Sequence, residues 1–354
     1  MIDVHVHLRD GVQQAKETIA HALGIGLQCG IEVFFDMPNT DPPLISEPEI
    51  DQRIRFGMQQ AASIDEHIFY GVYAGITSDV KQIQNMIDLY RQRHPRIVGF
   101  KMFAGHSTGN MGLVDYDRQQ VVYQTLADCG YCGVLAVHCE KESLLRPERW
   151  DSLRPWTHSM ARPAEAEVAS ISDQIDMVRS SGYSGRLHIC HISTEDSIGL
   201  VHKARSEGMK ISCGATPHHA LLDMTSAGQH WNMLKMNPPL RSANDRDAVY
   251  DGLLSGKVDW IESDHAPHTL LDKIAGASGI PAFAGILLLI SALRTSGISQ
   301  SRLEDLCYKK AQSVFALSGL FHHILDEHTI RERLQCIKHA YGWDPFAYYG
   351  LLTT

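Results

Sequence analysis

The sequence predicts an α/β protein that folds as a (β/α)8 barrel, the TIM-barrel architecture, and three observations support this. Short apolar segments alternate with segments of helical periodicity along most of the chain. Such alternation is typical of parallel strands joined by crossover helices. Eight strand-helix units in about 300 residues, with polar residues recurring at the carboxyl ends of the strands, fit a barrel whose active site lies on that face.

The predicted elements follow from these patterns in chain order. Strands are predicted at residues 2–7, 31–37, 68–74, 97–103, 134–138, 187–192, 210–213 and 260–263. Amphipathic helices are predicted between them at residues 12–24, 48–63, 80–93, 119–128, 165–180 and 196–207. A doubly wound sheet is the alternative, but no glycine-rich phosphate loop follows the first strand. We expect the barrel to span residues 1–318 and a helical tail, residues 319–354, to pack on it.

The composition narrows the classes of partner. The 354-residue chain is 44% hydrophobic with a formal net charge of −9 and no basic stripe, which argues against nucleic acid as a partner. The longest apolar run, 285–293, is too short to span a bilayer, and no signal peptide is evident. Cysteines inside apolar segments indicate reduced thiols, so we expect a cytoplasmic protein. A small anionic substrate remains compatible with the charge, and we expect a homo-oligomer, with a dimer as the leading expectation.

Histidines and one aspartate supply the pattern of a metal centre. His5 and His7 alternate on one strand and therefore face the same way. His138, His191 and Asp264 stand at the ends of later predicted strands. Four imidazoles and a carboxylate exceed the needs of one tetrahedral zinc with an open position, so two metals are the economical interpretation.

Lys101 stands at the end of the fourth predicted strand, where a bridging anionic ligand would be needed. An ammonium ion in a barrel interior is costly, but a neutral amine can react with carbon dioxide. The resulting carbamate could bridge two metals. The alternative is a lysine paired with a buried acid.

Five segments carry a resemblance to a known family. They are residues 3–10 (DVHVHLRD), 36–40 (DMPNT), 99–103 (GFKMF), 235–241 (KMNPPLR) and 263–268 (SDHAPH). The motifs resemble those of the amidohydrolase superfamily, and most closely its dihydroorotase family. The resemblance covers about residues 1–318. Arg9, two places after His7, together with the segment 37–40, narrows it from the superfamily to that family.

The resemblance implies a site and a reaction. His5, His7 and Asp264 would hold one zinc ion, His138 and His191 a second, and carboxylated Lys101 would bridge the two beside a hydroxide. That hydroxide would attack the ring amide carbonyl of L-dihydroorotate while Asp264 acts as the catalytic base and then acid. The reverse reaction closes N-carbamoyl-L-aspartate, a step of de novo pyrimidine biosynthesis.

The resemblance also implies substrate contacts. Arg9 offers a fork of donors for the substrate carboxylate, with Asn39 and His268 beside it. Asn237 would contact the pyrimidine ring, and Gly279 and Pro281 would offer backbone contacts. Taken singly, Arg9 could be an exposed loop charge, Asn39 a turn residue and His268 a loop cap.

Three alternative functions remain open, and the sequence differs from many relatives in one structural respect. A hydantoinase or dihydropyrimidinase and an allantoinase share the superfamily motifs, but a neutral hydantoin has no carboxylate for Arg9. A non-catalytic scaffold homologue is the third alternative, although all six metal ligands are present. Many relatives carry a β-sandwich built from both chain ends. Because the histidine motif begins at His5, we expect most or all of that sandwich to be lacking.

Overall fold

The computed structural model describes residues 1–107, 111–225, 231–317 and 323–348. Its strands are β1 (Ile2–Val6), β2 (Val33–Asp36), β3 (Phe69–Gly75), β4 (Ile97–Phe103), β5 (Val134–His138), β6 (Arg186–Ile189), β7 (Ile211–Ala215) and β8 (Trp260–Ile261). They form one eight-stranded sheet in sequence order, and every neighbouring pair is parallel. The predicted (β/α)8 barrel is therefore confirmed.

Backbone pairing is sparse where β8 closes the barrel. β7 and β8 pair through Gly214 with Trp260 and Ala215 with Ile261. The return to β1 is made by a single parallel bridge between Val6 and His265, with the His7 amide donating to the His265 carbonyl at 2.8 Å. In the described residues every named strand belongs to this barrel.

Strands that are buried on both faces divide the apolar side chains into two cores. The larger core lies between the sheet and the surrounding helices and includes Phe34 and Phe100. The smaller core fills the barrel interior. Phe315 packs there against Phe35 at 4.8 Å and near Trp260 at 6.1 Å between ring centroids. The amino-terminal end of the barrel is therefore filled with side chains, which leaves the carboxyl end for a site.

Helices surround the sheet. They are α1 (Ile19–Gln28), α2 (Glu47–Ile64), α3 (Val80–Arg93), α4 (Tyr116–Asp128), α5 (His158–Ala161), α6 (Ala164–Ser181), α7 (Glu195–Ser206), α8 (Pro217–Leu221), α9 (Ala243–Ser255), α10 (Leu270–Ile274), α11 (Phe283–Thr295), α12 (Gln300–Glu304), α13 (Lys310–Val314), α14 (Glu327–Ile337) and α15 (Pro345–Tyr348). A π-helical turn, Asp305–Lys309, joins α12 to α13, and short 3-10 turns occupy several loops.

The prediction of a helix over residues 12–24 is wrong in its bounds. A 3-10 turn, Gly11–Gln13, comes first, and α1 begins only after Thr18, whose hydroxyl accepts the His21 amide. Asp10 accounts for the break, because its carboxylate accepts from both Gly11 and Ile19 amides. A side chain that bonds local backbone groups competes with the helix.

The carboxyl-terminal segment packs on the barrel where it is described. Ser291 and Arg294 on α11 both bond Glu327 at the start of α14. The Trp343 indole donates to the His268 carbonyl at 2.8 Å, beside the loop that follows β8. The predicted boundary at 318/319 lies outside the described residues, so the division into barrel and tail stays a prediction. Among the described helices, none has the length and apolarity needed to cross a lipid bilayer.

Candidate metal centre

The carboxyl ends of the strands bring the predicted ligands into one cluster. His5 lies in β1 with His7 just beyond it, His138 ends β5, and His191 and Asp264 follow β6 and β8. They surround a cavity of about 20 Å³. Its lining consists of His5, His7, Arg9, Asn39, Phe103, Ser107, His138, His191, Asn237, Asp264, Ala266, Ser278 and Gly279.

Asp264 joins the two histidines of β1. Its Oδ1 lies 3.3 Å from His5 Nε2 and 3.0 Å from His7 Nε2. Burial alone would raise the carboxyl pKa, but the adjacent imidazoles of His5 and His7 outweigh it and hold the pKa of Asp264 well below its usual range. The group is therefore a carboxylate at neutral pH, as a metal ligand and proton acceptor must be.

His138 and His191 form the neighbouring pair. His138 Nδ1 lies 3.1 Å from His191 Nε2, and the His5 and His191 ring centroids are 5.1 Å apart. Burial, with His138 close by, lowers the pKa of His191 well below its ordinary value. His191 is thus neutral, which leaves a lone pair for a metal.

Outer partners fix the orientation of two of the imidazoles. His7 Nδ1 lies 2.7 Å from Asn39 Oδ1, and His138 Nε2 lies 2.9 Å from Glu140 Oε2. Arg162 donates from Nε to Glu140 at 3.0 Å and holds that carboxylate in turn. If the imidazoles donate to these oxygens, their other nitrogens, His7 Nε2 and His138 Nδ1, are free to bind a metal, and outer partners of this kind are usual around metal ligands.

Lys101 is fully buried on β4, next to the cluster. Its Nζ donates to Cys190 Sγ at 3.0 Å, and within the described ranges it forms no ion pair with a carboxylate. Burial opposes ionisation of the thiol, but Lys101 and His5 lower the pKa of Cys190 to about 5. The partner of the lysine is therefore the sulfur of Cys190 and not the buried carboxylic acid of the alternative interpretation.

The donor set fits a metal. One ligand atom from each of His5, His7 and Asp264 lies within 4.8 Å of the others. His191 Nδ1 is buried and lacks a hydrogen-bond partner among the described residues. Imidazole nitrogen with carboxylate oxygen is a combination that zinc favours. The cluster could accordingly hold metal ions.

Two of the predicted substrate contacts, Arg9 and Asn39, line the cavity from the loops that follow β1 and β2. Arg9 is 5% exposed and is therefore not an exposed loop charge; its Nε donates to the Pro267 carbonyl at 3.3 Å. Burial lowers the pKa of its guanidinium, with the carboxylates of Glu17 and Asp264 opposing that shift. Asn39 lines the same cavity and also contacts His7, a role the sequence did not suggest.

The other predicted contacts lie on the opposite wall. Asn237 and Gly279 line the cavity, and Asn237 Oδ1 lies 3.0 Å from His158 Nε2. Gly279 has φ +126°, and a Cβ there would lie 2.5 Å from the Ala266 carbonyl oxygen, so only glycine fits. His268 lies behind this wall, where its Nε2 donates to the Ser278 carbonyl at 2.9 Å, and Pro281 is buried beyond it. Their roles in substrate binding stay predictions.

Sequence reasoning missed two carboxylates that support the cluster. Glu140 stands two residues after His138, and Glu262 stands two residues before Asp264. Both are fully buried and both contact predicted ligands. The signal was the alternation of an extended chain, which places residues two apart on the same face.

Sequence comparison finds curated relatives over most of the chain. The dihydroorotase of Lactiplantibacillus plantarum is 30% identical over 329 residues, covering 90% of this chain and 72% of that protein. The dihydroorotase of Pyrococcus furiosus is 33% identical over 329 residues, covering 90% of this chain and 66% of that protein. No protein-family model matches the chain.

Solved structures agree on the fold. The L-hydantoinase (dihydropyrimidinase) of Arthrobacter aurescens superposes with a TM-score of 0.76 at 22% identity, covering 92% of this chain and 72% of that one. This likeness shows the shared barrel. The curated relatives place the chain among the cyclic amide hydrolases. The chain belongs to the dihydroorotase family.

Proposed function

We propose that this protein is a zinc-dependent dihydroorotase that interconverts N-carbamoyl-L-aspartate and L-dihydroorotate in pyrimidine biosynthesis. The observation that carries the proposal is the meeting of four imidazoles and Asp264 at one barrel mouth, with buried Arg9 on the same cavity. A metal cluster beside a fixed guanidinium suits an anionic substrate with a hydrolysable amide. The enzyme would work in the cytoplasm, and a homodimer stays a prediction.

Six residues would hold two zinc ions. His5, His7 and Asp264 would bind one, His138 and His191 the other, and Lys101, carboxylated on Nζ, would bridge them. Bound there, two zinc ions supply Lewis acidity and make hydroxide available near neutral pH. Carboxylation requires Lys101 to release its contact with Cys190.

The protein's own groups do the remaining work. Asp264, ionised at neutral pH and in contact with His5 and His7, accepts on its carboxylate the proton that the attacking oxygen loses and returns it to the leaving ring nitrogen. Arg9 binds the substrate carboxylate and so orients the amide toward Asp264. Asn237 and the backbone at Gly279 would position the ring from the other wall.

The test compares turnover of dihydroorotate, hydantoin and allantoin by the zinc-loaded enzyme. We expect dihydroorotate to be the best substrate and Arg9→Ala to lower its kcat/KM by about 100-fold or more, the cost of losing a buried charge-assisted contact. Arg118→Ala, which removes an exposed arginine on α4, is the matched control and should leave turnover unchanged.

Two outcomes would contradict the proposal. Faster turnover of hydantoin or allantoin, with no effect of Arg9→Ala, would favour the other cyclic amidohydrolases. A purified protein with no zinc and no turnover of any of the three would favour the scaffold alternative. Close to two zinc per chain by elemental analysis supports the enzyme.

A further inference from the structure

We propose that Glu262 is a positioning residue that sets the geometry of both halves of the metal centre, and that Gly214 is glycine to leave room for its carboxylate. The inference rests on the metal centre proposed above. It concerns residues that neither touch the cavity nor belong to the six proposed ligands.

Glu262 carries a fully buried carboxylate with partners on three sides. Oε1 accepts the His191 amide at 2.5 Å and lies 3.5 Å from His5 Nδ1. Oε2 accepts from Trp260 Nε1 at 3.1 Å and lies 3.0 Å from His188 Nε2. A buried charge is tolerable only when donors surround it in this way.

These contacts connect the two halves of the cluster. His5 belongs to the half with Asp264, and His191 to the half with His138. One oxygen, Oε1, therefore faces the ring of one ligand and the backbone of another. A shift of this oxygen changes the distance between the two halves.

The contact with His191 has a second consequence. His191 has φ +37°, in the left-handed region that residues other than glycine rarely adopt. The hydrogen bond from the His191 amide to Glu262 Oε1 holds the backbone in this conformation and so directs the imidazole ring toward His138. Without it, we expect the turn after β6 to relax and the ring to leave its place.

Gly214 on β7 provides the space. A Cβ at this position would lie 2.1 Å from Glu262 Oε2, 2.4 Å from its Cδ and 2.9 Å from Trp260 Nε1. Its φ is not positive, so backbone conformation does not require glycine here. A side chain on β7 and the carboxylate from β8 would occupy the same volume, so one strand or the other can supply the anion, but not both.

The experiment measures zinc affinity by competition with a chelating dye, alongside the thermal stability of the metal-free protein. We expect Glu262→Ala to weaken zinc binding by 10- to 100-fold, the usual cost of losing a residue that hydrogen-bonds the metal ligands. Glu262→Gln keeps the volume and one acceptor, so it should fold and weaken binding by about tenfold. Gly214→Asp alone should destabilise the protein, because two carboxylates then compete for one space.

The decisive variant combines Gly214→Asp with Glu262→Ala. It returns a carboxylate to the same volume from the neighbouring strand, and we expect it to recover at least tenfold of the lost affinity. Asp259→Ala is the matched control. Asp259 precedes β8 and also accepts an amide of β7, from Cys213 at 3.0 Å, but at the other end of the barrel. It should lower stability without changing zinc affinity.

The outcomes separate the two proposals. Wild-type zinc affinity in both Glu262 variants, or no recovery in the double variant, would overturn the role of Glu262 alone. Absence of zinc binding in every protein, the wild type included, would overturn the metal centre and this inference with it.

Discussion

At the scale of single residues, several buried carboxylates are held by imidazole or guanidinium donors. Glu17 lies 2.9 Å from His21 Nδ1 and 2.8 Å from His265 Nε2. His265 Nδ1 also accepts the Ala282 amide at 3.1 Å. A carboxylate held in this way stabilises the fold only when it is ionised, so the free energy of unfolding depends on pH.

Glu17 gives a prediction about pH. Burial would raise its carboxyl pKa, but His265 and His21 outweigh burial and lower it from 4.5 to about 2. A folded-state pKa below the unfolded value contributes stability that is complete above about pH 4.5 and is lost as the pH falls toward about 2. Glu17→Gln should cost about 3 kcal/mol at pH 7, and the difference from wild type should shrink below pH 4.5.

The measurement is denaturant unfolding of both proteins between pH 7 and pH 3. Glu66→Gln, an exposed glutamate, is the control and should follow the wild type throughout. A difference between Glu17→Gln and wild type that stays constant with pH would show that the carboxylate is not the source of the stability.

At the scale of elements, helices approach the sheet closely where glycine allows it. A Cβ at Gly57 in α2 would lie 2.1 Å from the ring of Tyr70 on β3. Tyr70 cannot move aside cheaply, because it is fully buried and its hydroxyl donates to Asp36 at 2.7 Å. The separation of α2 from β3 therefore depends on a missing side chain.

This packing gives a prediction in which propensity and packing oppose each other. Alanine is the better helix former by about 1 kcal/mol, yet Gly57→Ala should destabilise the protein by about 1–3 kcal/mol through overpacking. Gly199→Ala is the matched control, because Gly199 is exposed in α7 and a Cβ there meets nothing within 4 Å. It should be neutral or stabilising by up to about 1 kcal/mol. Melting temperatures decide, and equal stabilisation by both changes would contradict the packing argument.

At the scale of the whole molecule, the proposed ligands come from five of the eight strands or the loops that follow them. β1, β4, β5, β6 and β8 each contribute at least one. The seam between β8 and β1 has few backbone bonds, yet His5, His7 and Asp264 meet across it. Metal ions bound there would join strands at the weakest part of the barrel.

Metal removal should therefore destabilise the whole barrel. At free zinc a hundred times the dissociation constant, binding to the folded state adds about 2.7 kcal/mol. We expect a chelator to lower the melting temperature by several degrees and added zinc to restore it. Calorimetry with and without chelator tests this, with His67→Ala, an exposed histidine, as the control that should respond like wild type. A melting temperature that ignores both chelator and zinc would contradict the proposed metal centre.

Much of the fold and the cluster could be predicted from local sequence. Residues 80–93, 97–103 and 134–138 were predicted with the bounds the structure has, because apolar periodicity depends on near neighbours. The start of α1 was placed less well, because the Thr18 cap and the amides that Asp10 accepts decide it, and the ends of β2 and β6 also differ from the predicted ones.

The sequence by itself determined the alternation of strands and helices, and with it the face on which His5, His7, His138, His191 and Asp264 lie, because parallel strands all end on one side of a barrel. Only the tertiary structure decided which groups support them. Lys101 pairs with Cys190, Glu262 contacts His5 and His191, and Gly214 leaves room for the Glu262 carboxylate. Each of these contacts is made between strands that lie far apart in the chain. Such contacts depend on register and close packing between strands, which no local pattern of residues specifies.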